Sequence, residues 1–252
     1  MNPYIGVTGF SRPEEISAAL RAFPQNGNRK LMVGVLATWK SLRNIPMKPK
    51  WAKQTPNPIT IASLFPEDER VVNLVHFSTE AGQESSAFLD MIKIHGLAGP
   101  NFYGFQLNIA WPDVRLLESY RRAVGFGSRI VLQIGARAVE MVGGEPRRVA
   151  DMLHNYVLEI DDVLLDPSGG LGKPFDTERA REFLSAIAER GWNLGLGVAG
   201  GLGPDSLDLV EPLVAEFPNL SIDAQGRLRN AENDLDPNVV DAYLVKALRL
   251  FA

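Results

Sequence analysis

The residue best suited to acid–base chemistry in this sequence is Asp166, which ends the apolar run 162–166. Glycines follow it, and we expect two of them, Gly170 and Gly172, to bring the backbone close to a substrate. A carboxyl group half buried at a strand end acquires a raised pKa and donates protons near neutral pH. The alternative is structural, because an aspartate before a proline also hydrogen-bonds its own loop. We predict that Asp166 is catalytic.

Two later turns have a composition that suits phosphate binding. Gly200-Gly201 and Ala224-Gln225-Gly226 each follow an apolar run. Turns of this kind present free backbone N–H groups to an anion, and a Cβ atom at the glycines would hold a phosphate away. The alternative is a pair of tight turns without a ligand. We predict that both turns bind the phosphate of a small phosphorylated metabolite.

Further polar side chains interrupt apolar runs near the same ends. Residues two apart in a strand share a face, and a polar residue on a buried face needs a partner or a ligand. The residues in question are Thr8, Gln106, Asn108, Gln133 and Asp223. We expect the last four of these to contact the substrate. His76 also falls near a strand end, where it is either a base or, more commonly, a structural histidine.

The elements that must position these residues alternate regularly along the chain. Apolar runs of strand length are separated by amphipathic, helix-length segments, as in repeated βα units. The predicted strands are 4–8, 31–38, 71–77, 103–109, 129–134, 162–166, 193–198 and 220–223. Eight such units over residues 1–252 predict a single-domain TIM (β/α)8 barrel, with a doubly wound sheet as the second choice. In a TIM barrel the chemistry takes place where the strands end.

One connection is unusually long and basic. Residues 39–53, which precede a short predicted helix at 59–64, contain four lysines, one arginine and no acidic residue. Loops of this length in a compact domain are usually functional or mobile. The segment is either a lid that attracts anions or a solvated surface loop anchored by its tryptophans.

Composition narrows the classes of function. The 252 residues carry a net charge of -4, so nothing indicates nucleic acid or an anionic membrane as a partner. The absence of cysteine excludes disulfides and thiolate chemistry, and no spacing of histidine and acidic residues is typical of a metal site. The N-terminus lacks the pattern of a signal peptide, and no apolar stretch reaches the ~20 residues of a membrane helix. We expect a cytoplasmic protein that uses no metal and no cofactor.

Several of these motifs resemble those of the phosphoribosylanthranilate isomerase family. The matching segments are 164–166 with 169–176, then 199–205, then 223–226. Near the N-terminus, Gly-Phe-Ser-Arg-Pro-Glu-Glu at 9–15 follows the family's Gly-Ile-Thr-Arg-Pro-Glu-Asp pattern, whereas the middle of the chain matches poorly. The resemblance implies a TIM barrel that isomerises a phosphoribosyl amine, and it makes a homodimer plausible.

The resemblance also implies roles for individual residues. In the family an aspartate at the end of strand six is the general acid, and Asp166 corresponds to it. A cysteine at the end of strand one removes the proton from the sugar carbon, and its position is occupied by Thr8, whose hydroxyl stays protonated at any working pH. Gln106-Leu107-Asn108 stands where the family has Gln-Leu-His-Gly, and Arg43 is the candidate for the substrate carboxylate. Asp166 and Thr8 are therefore the predicted catalytic positions.

Three functions remain open at this point. The leading hypothesis is an isomerase-like barrel that binds a phosphorylated sugar or similar phosphate ester and transfers a proton next to a carbonyl or imine. The second is a barrel that has lost catalysis and binds a metabolite as a sensor or scaffold. The third is a phosphate-dependent lyase or epimerase with His76 as base, for which a pH profile with one limb near neutrality would be typical.

Overall fold

Eight parallel strands close into a barrel in the computed structural model, which describes residues 2–25, 27–166 and 174–252. Each strand pairs with the next one along the chain, and the last pairs with the first. The strands are β1 (Tyr4–Thr8), β2 (Lys30–Thr38), β3 (Val71–Ser78), β4 (Gly104–Asn108), β5 (Arg129–Gly135), β6 (Asp162–Asp166), β7 (Gly195–Ala199) and β8 (Ser221–Ala224). The predicted (β/α)8 barrel is confirmed, and the doubly wound alternative is wrong because the sheet has no free edge.

Helices connect the strands on the outside of the barrel. They are α1 (Pro13–Ala22), α2 (Pro49–Gln54), α3 (Ile61–Leu64), α4 (Ala87–Leu97), α5 (Val114–Val124), α6 (Ala136–Met141), α7 (Pro146–Leu153), α8 (Thr177–Ala188), α9 (Glu211–Glu216) and α10 (Pro237–Leu250). Aspartates 113, 176 and 236 cap three of them, since each side chain accepts a backbone N–H of the first turn. Within the described ranges, none of the helices has the length and apolar character needed to cross a membrane.

Alternation along each strand divides the apolar residues into two cores. In β1, Ile5 and Val7 belong to the large core between the strands and the helices, whereas Tyr4 belongs to a small cluster inside the barrel. The members of the inner cluster are Tyr4, Met32, Val72, Leu74, Val131, Leu164 and Ala199. This cluster fills the middle of the barrel and separates the polar groups at its two ends.

Polar side chains lie inside the barrel on both sides of that cluster. At the amino-terminal ends of the strands, Arg129 and Asp162 form a buried ion pair. At the carboxyl-terminal ends, Thr8, Gln106 and Asp223 are buried in hydrogen-bonding contact. We call these groups the lower and the upper polar layer. Gly6 makes room for the upper layer, because a Cβ atom there would lie 2.8 Å from Asp223 Oδ1.

Candidate active site

A cleft with two compartments opens at the carboxyl-terminal ends of the strands. The β7/β8 compartment, a cavity of about 400 Å³, is bordered by the loops that follow β7 and β8. The β2–β5 compartment, of about 710 Å³, is bordered by the ends of β2, β3, β4 and β5. Both are lined by Trp51, His76, Gln133, Asp166 and Gln225. The two cavities therefore form one continuous cleft above the barrel.

The two predicted phosphate-binding turns border the same compartment. Gly200 and Gly201, Ala224, Gln225 and Gly226 all line the β7/β8 compartment, together with Asp166. The first two glycines adopt φ angles of 94° and 69°, a left-handed conformation that favours glycine over other residues. The structure thus brings together five residues that the sequence analysis grouped by chemistry.

A chain of hydrogen bonds connects two carboxylates across the upper polar layer. Thr8 Oγ1 lies 2.9 Å from both carboxylate oxygens of Asp223, to which it donates. Gln106 Nε2 donates to Asp223 Oδ2 at 3.1 Å and to Gln133 Oε1 at 3.2 Å. Gln133 Nε2 in turn donates to Asp166 Oδ2 at 2.9 Å. Asp223 is therefore bound by Gln106 and Asp166 by Gln133, the two amides are linked to each other, and both carboxylates line the same compartment.

Burial changes the protonation of Asp223. Removal from water is the largest effect and raises the pKa of this carboxyl to about 7, and the negative charge of Asp166 adds to it. The hydrogen bonds from Thr8, Gln106 and the Ala224 amide act in the opposite direction without cancelling the effect of burial. Asp223 consequently exchanges its proton near neutral pH, as a catalytic acid or base must.

His76 also lines both compartments, but it is neutral. Burial lowers the pKa of its imidazole to about 4. Its Nε2 lies 3.4 Å from Asn108 Nδ2, and its buried Nδ1 has no hydrogen-bond partner among the residues that the structure describes. The pKa of His76 is too low for the pH limb near neutrality that the lyase or epimerase hypothesis requires of this residue.

The long basic segment folds across the mouth of the barrel towards β8. Gln54, at the end of α2, accepts a hydrogen bond from Gln225 at 2.8 Å and donates one to Asn233 at 2.9 Å. Lys53 forms an ion pair with Asp234. Trp51, from the same helix, lines both compartments. This contact with the β8 side supports the lid interpretation over that of a solvated loop.

The charged residues of the β2–β5 compartment are largely paired with one another. Lys40 forms an ion pair with Glu80 at 3.1 Å, and Arg137 with Glu84 at 3.4 Å. All four residues line this compartment, as does Lys48. Positive charge from the basic segment therefore reaches the cleft, but acidic side chains partly neutralise it there.

Two predicted site residues lie elsewhere than the sequence analysis expected. The guanidinium of Arg43 binds the Asp90 carboxylate of α4 at 2.9 and 3.1 Å and stacks on Trp39, away from the described lining of the cleft. Thr8 is fully buried beneath Asp223, the residue that borders the cavity in its place. The predicted contact of Arg43 with the substrate carboxylate and the predicted catalytic position of Thr8 do not fit this geometry.

Of the remaining predicted residues, four line the cleft and two lie outside the part of the chain that the structure describes. Gln106 and Asp223 line the β7/β8 compartment, Asn108 lines the β2–β5 compartment, and Gln133 lines both. Gly170 and Gly172 lie outside the described residues. Within the described ranges, no group of three or more histidine and acidic side chains is arranged to hold a metal ion, and the predicted independence of metals stays a prediction.

Sequence reasoning missed several lining residues, among them Trp51, Lys50 and Arg137. Trp51 and Lys50 belong to the basic segment, whose charge was noted but whose direction across the barrel was not foreseeable. Arg137 follows the end of β5 by two positions, so the rule that strand ends carry function would have found it.

Comparisons with known proteins identify relatives by fold. No family model and no curated protein matches this sequence. The phosphoribosyl anthranilate isomerase from Thermus thermophilus superposes with a TM-score of 0.65 at 15% identity, covering 98% of this chain and 99% of that one. The enzyme from Thermotoga maritima gives 0.61 at 18% identity, covering 98% of both chains. TrpF from Jonesia denitrificans gives 0.60 at 17% identity, covering 99% of this chain and 100% of that one.

A second kind of barrel is also similar. The tryptophan synthase subunit alpha from Legionella pneumophila gives a TM-score of 0.57 at 11% identity, over 99% of this chain and 91% of that one. Identities at this level establish a shared fold and not a shared reaction. The resemblance found in the sequence motifs is confirmed for the fold of the whole chain.

Proposed function

We propose that this protein binds a phosphorylated sugar or a similar small phosphate ester and catalyses its isomerisation by proton transfer next to a carbonyl or imine. One observation carries this proposal: the turns after β7 and β8 border the same cavity as the carboxyl groups of Asp166 and Asp223. A reaction of this kind needs an anion site and two carboxyl groups within one cavity.

The phosphate would occupy the β7/β8 compartment. The turns 200–201 and 224–226 border it, and backbone N–H groups of Gly200, Gly201, Gln225 and Gly226 would bind the phosphate where barrels of this architecture frequently bind one. Lys50 and Arg227 line the same compartment and add positive charge. Arg227 is held in place by Asp205 at 2.7 Å.

Asp166 would act as the general acid. It stands at the end of β6, and Gln133 fixes one of its carboxylate oxygens at 2.9 Å. Proton donation to the ring oxygen of a furanosylamine would break the bond between that oxygen and carbon 1, and the nitrogen lone pair would form the C=N bond of an iminium. This is the first half of the isomerisation that phosphoribosylanthranilate undergoes in the resembling family.

The basic segment would cover the reacting groups. Its docking through Gln54 on Gln225 places Trp51 over the junction of the two compartments. Exclusion of water strengthens electrostatic interactions in a site and protects reactive intermediates from hydrolysis. The β2–β5 compartment then receives the group attached to carbon 1 of the sugar.

The test is turnover of phosphoribosylanthranilate by the wild-type protein and by Asp166→Asn. We expect measurable turnover that falls by ~10²–10⁴-fold in the variant, since a positioned acid contributes about this factor. Binding of ribose 5-phosphate, followed by calorimetry, should be retained. Asp208→Asn is the matched control, because this exposed carboxylate pairs with Lys246 on the outside of the barrel.

A second function, metabolite binding without catalysis, is favoured by one observation. Thr8 occupies the position of the family's cysteine, and its hydroxyl is buried against Asp223. A protein of this kind would bind ribose 5-phosphate with the same affinity before and after Asp166→Asn and would turn over no phosphoribosylanthranilate. That pair of results would replace the isomerase proposal.

A further inference from the structure

We infer that Asp223 is the base of this reaction, the group that removes the proton from carbon 2 of the sugar; the inference rests on the proposed function. An isomerisation of this type needs an acid and a base on the two reacting centres. Two carboxylates border the β7/β8 compartment, and if Asp166 is the acid, Asp223 is the other. Thr8 cannot serve, because a hydroxyl remains protonated at working pH.

The hydrogen bonds around Asp223 suit its ionised form. Thr8 Oγ1, Gln106 Nε2 and the Ala224 backbone amide all donate to this carboxylate. A base must begin the reaction without its proton, and three donors aimed at one carboxylate stabilise that state. The same contacts also fix the orientation of the carboxylate. A residue that only lines a cavity does not need a fixed orientation.

The position of Asp223 relative to the phosphate turns is equally suitable. The residue immediately precedes the turn 224–226, on the strand from which that turn leaves the barrel. A sugar held there by its phosphate extends its remaining carbons over the floor of the compartment. That floor is made by Gln106, Gln133 and the two carboxylates, with Asp166 and Asp223 bridged by the amides.

The groups that face Asp223 allow it to lose and regain a proton near neutrality. Tyr4 from β1 and Tyr243 from α10 both have raised pKa values, chiefly through burial, and stay neutral. His76 from β3 is neutral because its pKa is about 4. An ionised Asp166 from β6 raises the pKa of Asp223, so a protonated Asp166, which the acid step requires, favours the ionised base. Lys50 and Arg227 line the same compartment at its exposed side. In these surroundings the pKa of Asp223 is about 7.

The proposed step balances in atoms and electrons. After Asp166 has donated its proton and the ring has opened, the iminium carries a C–H bond at carbon 2. The Asp223 carboxylate takes this proton, the electrons of the C–H bond form the C1=C2 double bond, and the C=N electrons return to nitrogen. The product is an enolamine, whose tautomerisation gives the ketone. No oxidant, reductant or co-reactant takes part.

The test is the pH dependence of phosphoribosylanthranilate turnover in wild type, Asp223→Asn, Thr8→Val and Thr8→Ser. We expect kcat of the wild type to rise with pH along a limb of the pH profile centred at about 7 or below, since a protonated Asp166 does not raise the pKa of Asp223. Asp223→Asn should lower kcat by ~10²–10⁴-fold and abolish this limb, while KM and the affinity for ribose 5-phosphate change little. Thr8→Val removes a donor that lowers the pKa of Asp223, so its limb should move to higher pH. Thr8→Ser retains the donor and should leave the limb in place.

The outcomes separate this inference from the function on which it rests. Wild-type turnover that survives Asp223→Asn overturns the role of Asp223 and leaves the proposed function intact. Absence of wild-type turnover, with ribose 5-phosphate bound, overturns both. If circular dichroism shows that Asp223→Asn does not fold, the pH profile of Thr8→Val tests the inference. A limb of kcat at the same pH as in wild type overturns it, and a limb at higher pH supports it.

Discussion

The two ends of the barrel interior both contain buried carboxylates, and they stabilise them in opposite ways. In the lower polar layer, the Arg129 guanidinium holds both oxygens of Asp162 at 2.6 Å. In the upper polar layer, the neutral amides of Gln106 and Gln133 connect Asp223 with Asp166. The lower layer pairs opposite charges, whereas the upper layer holds two acids in one network.

This difference separates a structural site from a chemical one. Burial works against the charge of Arg129, but hydrogen bonds and attraction to Asp162 outweigh it and raise the pKa of Arg129, so this guanidinium keeps its charge. Asp223, with a pKa of about 7, changes its charge near neutrality. Groups whose pKa is moved towards the working pH concentrate at functional sites, and only the upper layer has this property.

The largest effect is expected from breaking the lower pair. Arg129→Met leaves Asp162 as an uncompensated buried charge, so the free energy of unfolding should fall by about 3–5 kcal/mol. Urea denaturation measures this loss. Asp162→Asn combined with Arg129→Met should be less destabilised than Arg129→Met alone, since no buried charge is left. Equal stability of the two variants would show that the ion pair is not what this layer contributes.

Removing a buried charge from the upper layer should instead increase the free energy of unfolding. The pKa of Asp223 is raised in the folded protein, so its contribution to stability is complete below pH 3.8 and is lost as the pH rises through about 7. Asp223→Asn removes this loss and should be more stable than wild type at pH 8, by at most about 4 kcal/mol. The difference should shrink at pH 5. A variant that is less stable than wild type at pH 8 would contradict the comparison.

His76, at the same end of the barrel, should make stability depend on pH in the reverse direction. Its pKa is lowered from 6.5 to about 4, so its contribution is complete above pH 6.5 and is lost as the pH falls through 4. Wild type should lose about 2–3 kcal/mol over this range, and His76→Gln should lose less. Denaturation midpoints between pH 4 and 8 measure both. Identical curves for the two proteins would exclude His76 as the cause.

The smallest effect is expected at the lid. Gln54→Ala removes the hydrogen bonds to Gln225 and Asn233, which should lower stability by about 1–2 kcal/mol. The affinity for ribose 5-phosphate should fall as well, because the segment that carries Lys50 and Trp51 loses part of its attachment, with the ion pair of Lys53 and Asp234 remaining. Asn57→Ala is the control within the same connection, since Asn57 only caps the short turn at Pro58–Thr60. A larger loss in the control would refute the docking role.

The fold was predictable because local rules determine it. Strands β1 and β6 have the predicted ends, and β7, the poorest match, begins two residues later than predicted. Asp166 and the turns at 200–201 and 224–226 were identifiable because parallel strands bring their carboxyl ends together regardless of detail. This rule needs no knowledge of which side chains touch.

What the sequence did not reveal depends on contacts between distant residues. Thr8 and Asp223 are 215 positions apart, and nothing in either segment indicates that the hydroxyl is used by the carboxylate. Arg43 was predicted to contact substrate, but Asp90, 47 positions away, binds it. Which of several acceptors an arginine selects is decided by packing, and composition does not carry that information.

The most direct test of the account is an amide NMR titration of the protein with ribose 5-phosphate, using ribose as the control. If the turns after β7 and β8 bind a phosphate, the largest chemical-shift changes will be at the amides of Gly200, Gly201, Gln225 and Gly226. Ribose will not produce these changes. Equal shifts with ribose, or shifts confined to other parts of the protein, would contradict the assignment of this end of the barrel to phosphate chemistry.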